Sequence, residues 1–160
     1  MFKKISFLVV ASLVFALAFA PLAAMAKDRL AFSGGPEGGT FQYFSNGIAT
    51  RLSKNIGNLE VSNMASAGSL ENLRRVNSGD ADFGIVYSGD TYLGRNGRLT
   101  QDVKEYKNVK AMAYLYGAPA HLIVKADSGI NEVADLEGKR IAVGGPGSGA
   151  AGAAQRYFTS

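Results

Sequence analysis

Two short stretches of this chain repeat one device. Ala31-Phe-Ser-Gly-Gly-Pro36 and Ile141-Ala-Val-Gly-Gly-Pro146 lie 110 residues apart. Each is an apolar, strand-like run, then Gly-Gly-Pro, then more glycine, then a helix start with a small hydroxyl residue, Thr40 or Ser148. A strand that passes through a glycine turn straight into a helix is a βα unit. Repeated, that unit calls for a largely parallel sheet, so the expected class is α/β. The turn also has chemistry of its own. The first turn of a helix leaves backbone N–H groups unpaired, and the macrodipole adds partial positive charge there. Glycine removes the side chain that would keep an anion away, so each turn is a candidate anion seat.

The rest of the chain fits this alternation. Asp28 to Phe32 reads as a strand. Phe41, Phe44, Ile48 and Leu52 follow at helical spacing. Leu59 to Met64 alternates apolar and polar residues, as a half-buried strand does. Ala67-Gly-Ser69 opens a second helix with Leu70, Leu73 and Val76 on one face. Ser69 is expected to cap it, and Gly79 to end it. Asp82 to Tyr87 reads as a buried parallel strand, and 89–107 as polar surface structure. Val109 to Leu115, His121 to Lys125 and Arg140 to Val143 are three more expected strands. Ile130, Val133 and Leu136 mark a short helix closed by Gly138. A last helix is expected from about Ser148.

Gly147-Ser-Gly-Ala-Ala-Gly152 is a literal GxGxxG, yet it is a poor dinucleotide fingerprint. It comes late in the chain rather than in the first βα turn, and the acidic residue expected about 20 positions on has no place to be tested. A phosphate-binding P-loop fails as well, since Ala150-Ala151 stands where Lys-Ser/Thr is required. Catalytic signals are equally thin. His121 is the only histidine, set in an apolar run without an assignable partner. Ser148 lacks the G-x-S-x-G elbow. No motif has metal-ligand spacing, and the chain has no cysteine. No cofactor and no metal are therefore expected.

A solute site is the better reading. In open α/β sheets ligands bind past the C-terminal ends of strands. Gly39 and Thr40, Ser69 and Asn72, Ser88 and Asp90, and Gly147 to Gly149 all belong to such ends or to the helix mouths that follow them. Several seats converging there suit a small ligand with carboxylates, with Asp90 placed for an ammonium group. Phe41, Tyr87 and Tyr116 are candidate apolar walls.

The N-terminus gives the compartment. Lys3 and Lys4 precede an uncharged stretch from Ile5, followed by Pro21 and Ala24-Met25-Ala26, the three-part pattern of a cleaved secretory signal. Cleavage after Ala26 leaves 134 residues with 15 Lys+Arg against 13 Asp+Glu. No basic run exceeds a pair, so no nucleic-acid footprint is present. With no cysteine to carry a lipid, the expected mature protein is periplasmic and not membrane-embedded.

In order and spacing, several stretches together resemble the TAXI family of TRAP-transporter solute-binding proteins. They are Gly34-Gly-Pro-Glu-Gly-Gly-Thr40, Ala67-Gly-Ser-Leu-Glu-Asn-Leu73, Ser78-Gly-Asp-Ala-Asp-Phe-Gly-Ile-Val-Tyr-Ser88, Val124-Lys-Ala-Asp-Ser-Gly-Ile130, Ala134-Asp-Leu-Glu-Gly-Lys-Arg-Ile-Ala-Val-Gly144 and Pro146-Gly-Ser-Gly149. The resemblance implies a two-lobed α/β receptor of the type II periplasmic binding protein kind. Such a receptor closes on a glutamate-like amino acid or another organic acid and delivers it to an ion-coupled TRAP permease. It implies ligand contacts at Gly39, Thr40, Ser69, Asn72, Ser88 and Gly147 to Gly149; Asp90 is added from its position alone. Phe41-Gln42, Tyr87 and Ala150 depart from the family pattern and leave the ligand's identity open. Family members are about twice this mature length. The expected organisation is therefore a signal peptide at 1–26, a first lobe at 27–115 and an incomplete second lobe at 116–160. A binding protein of an ABC importer and, further off, an exported enzyme using Ser148 or His121 are the rival readings.

Overall fold

The computed structural model describes residues 26–100 and 102–159. The secretory leader falls on residues outside this range, apart from Ala26 at its edge. The chain forms β1 (Asp28–Ser33), α1 (Thr40–Asn55), β2 (Leu59–Met64), α2 (Ser69–Ser78), β3 (Phe83–Gly84), α3 (Ser88–Arg95), a 3-10 turn (Val133–Leu136) and α4 (Gly149–Thr159). The sheet is parallel with order β2-β1-β3. This is an α/β fold of the kind that forms one lobe of a periplasmic binding protein.

The pairing explains where a site can lie. β1 pairs with β2 over its whole length, from Asp28↔Leu59 to Ser33↔Met64. On its other side β1 meets β3 only at Phe32↔Phe83 and Ser33↔Gly84. The chain thus leaves β1 toward one neighbour and returns to the other. Right-handed crossovers then put α1 and α2 on opposite faces, and a crevice opens at the C-terminal ends of β1 and β3.

Two apolar clusters hold this arrangement. Phe32, Ala49, Val61 and Ile85 join β1, β2 and the chain after β3 to α1, with Phe41, Phe44, Ile48 and Leu52 packed around them. These α1 residues are the ones whose helical spacing marks one face. Leu70, Leu73, Leu99, Tyr106 and Val109 form the second cluster, behind α2 and α3. At its edge the Tyr106 hydroxyl donates to Asp102 Oδ2 at 2.6 Å. Burial and this bond push the phenol up to about 12, and the same bond holds the Asp102 carboxyl below its ordinary value.

Several expectations need correction. The strand expected over Asp82 to Tyr87 is only two residues long. At its start the Asp82 carboxylate accepts the Ala31 N–H at 2.7 Å, so a side chain takes a bond that a strand neighbour would make. At its end the Tyr87 N–H turns away to Ser69 Oγ at 2.9 Å. α3 begins at Ser88 and runs into the stretch 89–107, which was expected only as polar surface structure with no helix named. Its two glycines, Gly89 and Gly94, argue against a helix by propensity. Packing overrides this: a Cβ on Gly94 would stand 2.7 Å from Leu73 Cδ2 and 3.2 Å from Tyr106 Cδ2, so only glycine lets α3 seat.

Val109 to Leu115, His121 to Lys125 and Arg140 to Val143 are not strands. Their apolar runs suit strands with neighbours on both sides. β3 ends after two residues and offers them no edge of useful length. Met112, Tyr114 and Ile123 stay more than four-fifths exposed, and His121 is exposed as well. The helix expected around Ile130 to Leu136 is a single 3-10 turn with a capping box. Asp135 accepts the N–H groups of Asn131 and Glu132, which lowers its pKa.

Candidate functional site

The helix mouths of α2, α3 and α4 meet at the C-terminal end of the sheet, and Phe41 at the mouth of α1 reaches the same place. Its ring lies 5.1 Å from that of Tyr87, and Tyr116 stacks on Phe44 at 5.0 Å. The three aromatic residues named as walls are therefore neighbours. Burial raises the Tyr116 phenol above its ordinary value, with the nearby Tyr87 adding to the effect.

Asn72 is the hub of the crevice. It is fully buried. Its Nδ2 donates to Gly34 O at 2.5 Å and to Ile85 O at 2.7 Å. Its Oδ1 accepts from Ser33 Oγ at 2.7 Å and Ser66 Oγ at 2.6 Å. All the hydrogen-bonding capacity of the amide is thereby used. One side chain on α2 thus ties the loop after β1 to the chain after β3. It sits behind the crevice wall as a positioning residue. Ser33 and Ser66 complete the hub and were not among the expected site residues; Ser33 ends β1 and Ser66 lies two residues past β2.

Ser69 does not cap α2, as was expected. It is the first helical residue, Gly68 is the cap, and the Ser69 hydroxyl accepts the Tyr87 N–H. Gly68 has φ 123° and ψ −147°, a conformation open only to glycine. That conformation turns the cap so that Glu71 can bond back to the Ala67 N–H at 2.7 Å. Glu71 also pairs with Arg75 one turn on. The Glu71 N–H, in the mouth of α2, donates to Gly147 O at 3.1 Å. The glycine loop before α4 therefore fills part of the α2 seat.

Ser148 is the cap of α4. Its Oγ accepts the Ala151 N–H at 3.1 Å, and its carbonyl accepts the Gly152 N–H at 3.2 Å. Gly149 is buried against α3. A Cβ there would lie 2.4 Å from Tyr87 Cδ2 and 2.7 Å from Asp90 Oδ2. Asp90 is 1% exposed, and its Oδ1 accepts from Arg156 Nη2 at 3.1 Å. Its Oδ2 is buried and has no hydrogen-bond partner among the described residues. Arg156 was not singled out in the sequence. Its signal is spacing: Gly149, Gly152 and Arg156 share one face of α4 at three- and four-residue steps.

The mouth of α1 is different. Gly39 caps it without a side-chain bond, and Thr40 is exposed. Beside it lies an open groove of about 580 Å³ lined by Gly38, Gly39, Gln42, Tyr43, Asn46 and Asn63. Asn63 Oδ1 is buried there with no partner among the described residues, while Gln42 Oε1 accepts the Gly35 N–H at 3.1 Å. Ser88 is exposed at the first position of α3. The structure thus brings Ser69, Asp90 and Gly147 to Gly149 together, holds Asn72 behind them, and leaves Gly39 and Thr40 beside them at the open mouth of α1, where the Phe41 ring meets Tyr87.

Among the described residues no group of three or more His, Cys, Asp or Glu could hold a metal ion. No helix among them is long and apolar enough to cross a membrane. The site is made of backbone groups, amides, hydroxyls and aromatic faces around the ion pair of the buried Asp90 with Arg156. The sequence model of the NMT1-like family, a family of solute-binding proteins that are mostly non-enzymatic, matches residues 32–160, and this chain belongs to that family.

Proposed function

We propose that this chain is the solute receptor of a TRAP-type transporter, of the TAXI kind, and that it binds a small carboxylate such as a glutamate-like amino acid or organic acid. The single observation that carries this reading is the meeting of the α2, α3 and α4 mouths, with Phe41 of α1, at the crevice where the sheet order reverses. Helix N-termini facing one space favour negative charge. The aromatic faces of Phe41 and Tyr87 supply the apolar surface that small-molecule sites usually have. Gly39, Thr40, Ser88 and Gly147 to Gly149 are the proposed contacts. Ser69 and Asn72 hold them in place, and Asp90 is the group for an ammonium. The receptor acts after export and cleavage following Ala26. Residues 27–115 serve as one lobe and 116–160 belong to another that closes over the solute.

Calorimetric titration with L-glutamate, L-glutamine and short dicarboxylates tests this. At least one is expected to give a saturable heat and a matching rise in melting temperature. No heat and no thermal shift across the whole panel would contradict the proposal.

A further inference from the structure

The crevice holds a carboxylate of its own. Asp90 lies at the mouth of α4, the place where a bound anion would be most favoured. It is 1% exposed and ion-paired to Arg156 from the last turn of the same helix. Its Oδ2 faces Gly149, at 2.7 Å from where a Cβ would stand, and has no hydrogen-bond partner among the described residues. A buried acceptor left without a donor is unfavourable, so this contact is held together and stressed at once. The remainder of the α4 contact is small. Beyond the Glu71 N–H bond to Gly147 O just before the helix, it includes Gly149 on the Tyr87 ring and Gly152, where a Cβ would stand 3.1 Å from Leu70 Cδ1. A helix seated by two glycines gains little apolar burial, so the ion pair decides whether it stays.

We infer that Asp90 and Arg156 form a latch: the Asp90 carboxylate stands in for a ligand anion at the α4 mouth, docks residues 149–159 on α2 and α3, and gives way when an external carboxylate takes Arg156. Docking is independent of what the protein transports. Release by a solute rests on the receptor reading above. Once released, Asp90 has both oxygens free for a cationic group, and the α4 mouth is open.

The test is backbone amide exchange of residues 149–159 in the full chain, measured against β1 and α1 as an internal reference. Asp90→Asn and Arg156→Gln each remove one charge of the latch. Gly149→Ala pushes α4 off Tyr87 and Asp90 without altering charge, and it covers the case in which a charge variant folds poorly. Each is expected to speed exchange of 149–159 by about tenfold, the factor for loss of one charge-assisted contact. L-glutamate is expected to speed the same amides in the wild-type chain. Unchanged exchange in both Asp90→Asn and Arg156→Gln would overturn the latch. Loosened variants with a calorimetric heat for L-glutamate but no change in wild-type exchange would overturn its release by solute. No heat at all would instead count against the receptor reading, with the docking result standing by itself.

Discussion

Replacing Asn72 by alanine is expected to destabilise the fold by about 4 kcal/mol, the largest effect of any single polar substitution described here. The amide satisfies two buried carbonyls, Gly34 O and Ile85 O, and receives two hydroxyls, from Ser33 and Ser66. Alanine leaves the carbonyls without donors in a space closed to water, at about 1–3 kcal/mol for each unsatisfied group. The hydroxyls can rotate to other acceptors, so their share is smaller. Urea unfolding should show a lower midpoint with an unchanged slope. Because the amide joins the loop after β1 to the chain after β3, the variant should also lose most of its affinity for L-glutamate. A midpoint within error of the wild type would mean that these bonds do not hold the two loops.

Leu73→Ala, one residue on, is expected to cost about 3–4 kcal/mol for a different reason. Leu73 is 2% exposed and belongs to the cluster with Leu70, Leu99, Tyr106 and Val109. Truncation loses the transfer free energy of three buried carbons and leaves a cavity. Gly94 of α3 cannot fill it without moving the helix backbone, since it already lies against Leu73. The cavity is away from the Asn72 hub. Solute affinity at a temperature well below the melting point is therefore expected to stay within about threefold, a change under 1 kcal/mol. Equal losses of affinity in both variants would show that the two sides of α2 do not act separately.

Much of the sheet layer was legible in the residues. β2 was read to its bounds from alternation, β1 to within one residue, and the end of α2 from Gly79, which has φ 87°. The start of α4 was read from its glycine turn, and Ser148 does sit as its cap. These features are local, and local physics fixes them. α3 was missed because its formation depends on Gly94 fitting against Leu73 and Tyr106, a contact between residues far apart in sequence. Residues 109–115, 121–125 and 140–143 were read as strands from their composition alone. A strand also needs an edge to pair with, and composition cannot report whether one is there.

The site was legible in part. Ser69, Asp90 and Gly147 to Gly149 were placed near strand ends and do come together. The function of each hydroxyl and amide was not readable. Ser69 was expected on its own helix and instead bonds the Tyr87 N–H. Asn72 was expected to face a ligand and instead has every bond satisfied internally. Arg156, which pairs with Asp90 across 66 residues, follows from no local pattern except the shared face with Gly149 and Gly152.

The central claim is that backbone donors at these helix mouths receive a small carboxylate. Its most direct test is a titration of the full chain with L-glutamate, following the backbone amide resonances of Thr40, Phe41, Ser88 and Gly149. The account predicts saturable shifts at these amides, with the same midpoint as the calorimetric heat. Saturable binding that leaves all four unmoved, with shifts confined to residues away from the crevice, would contradict it.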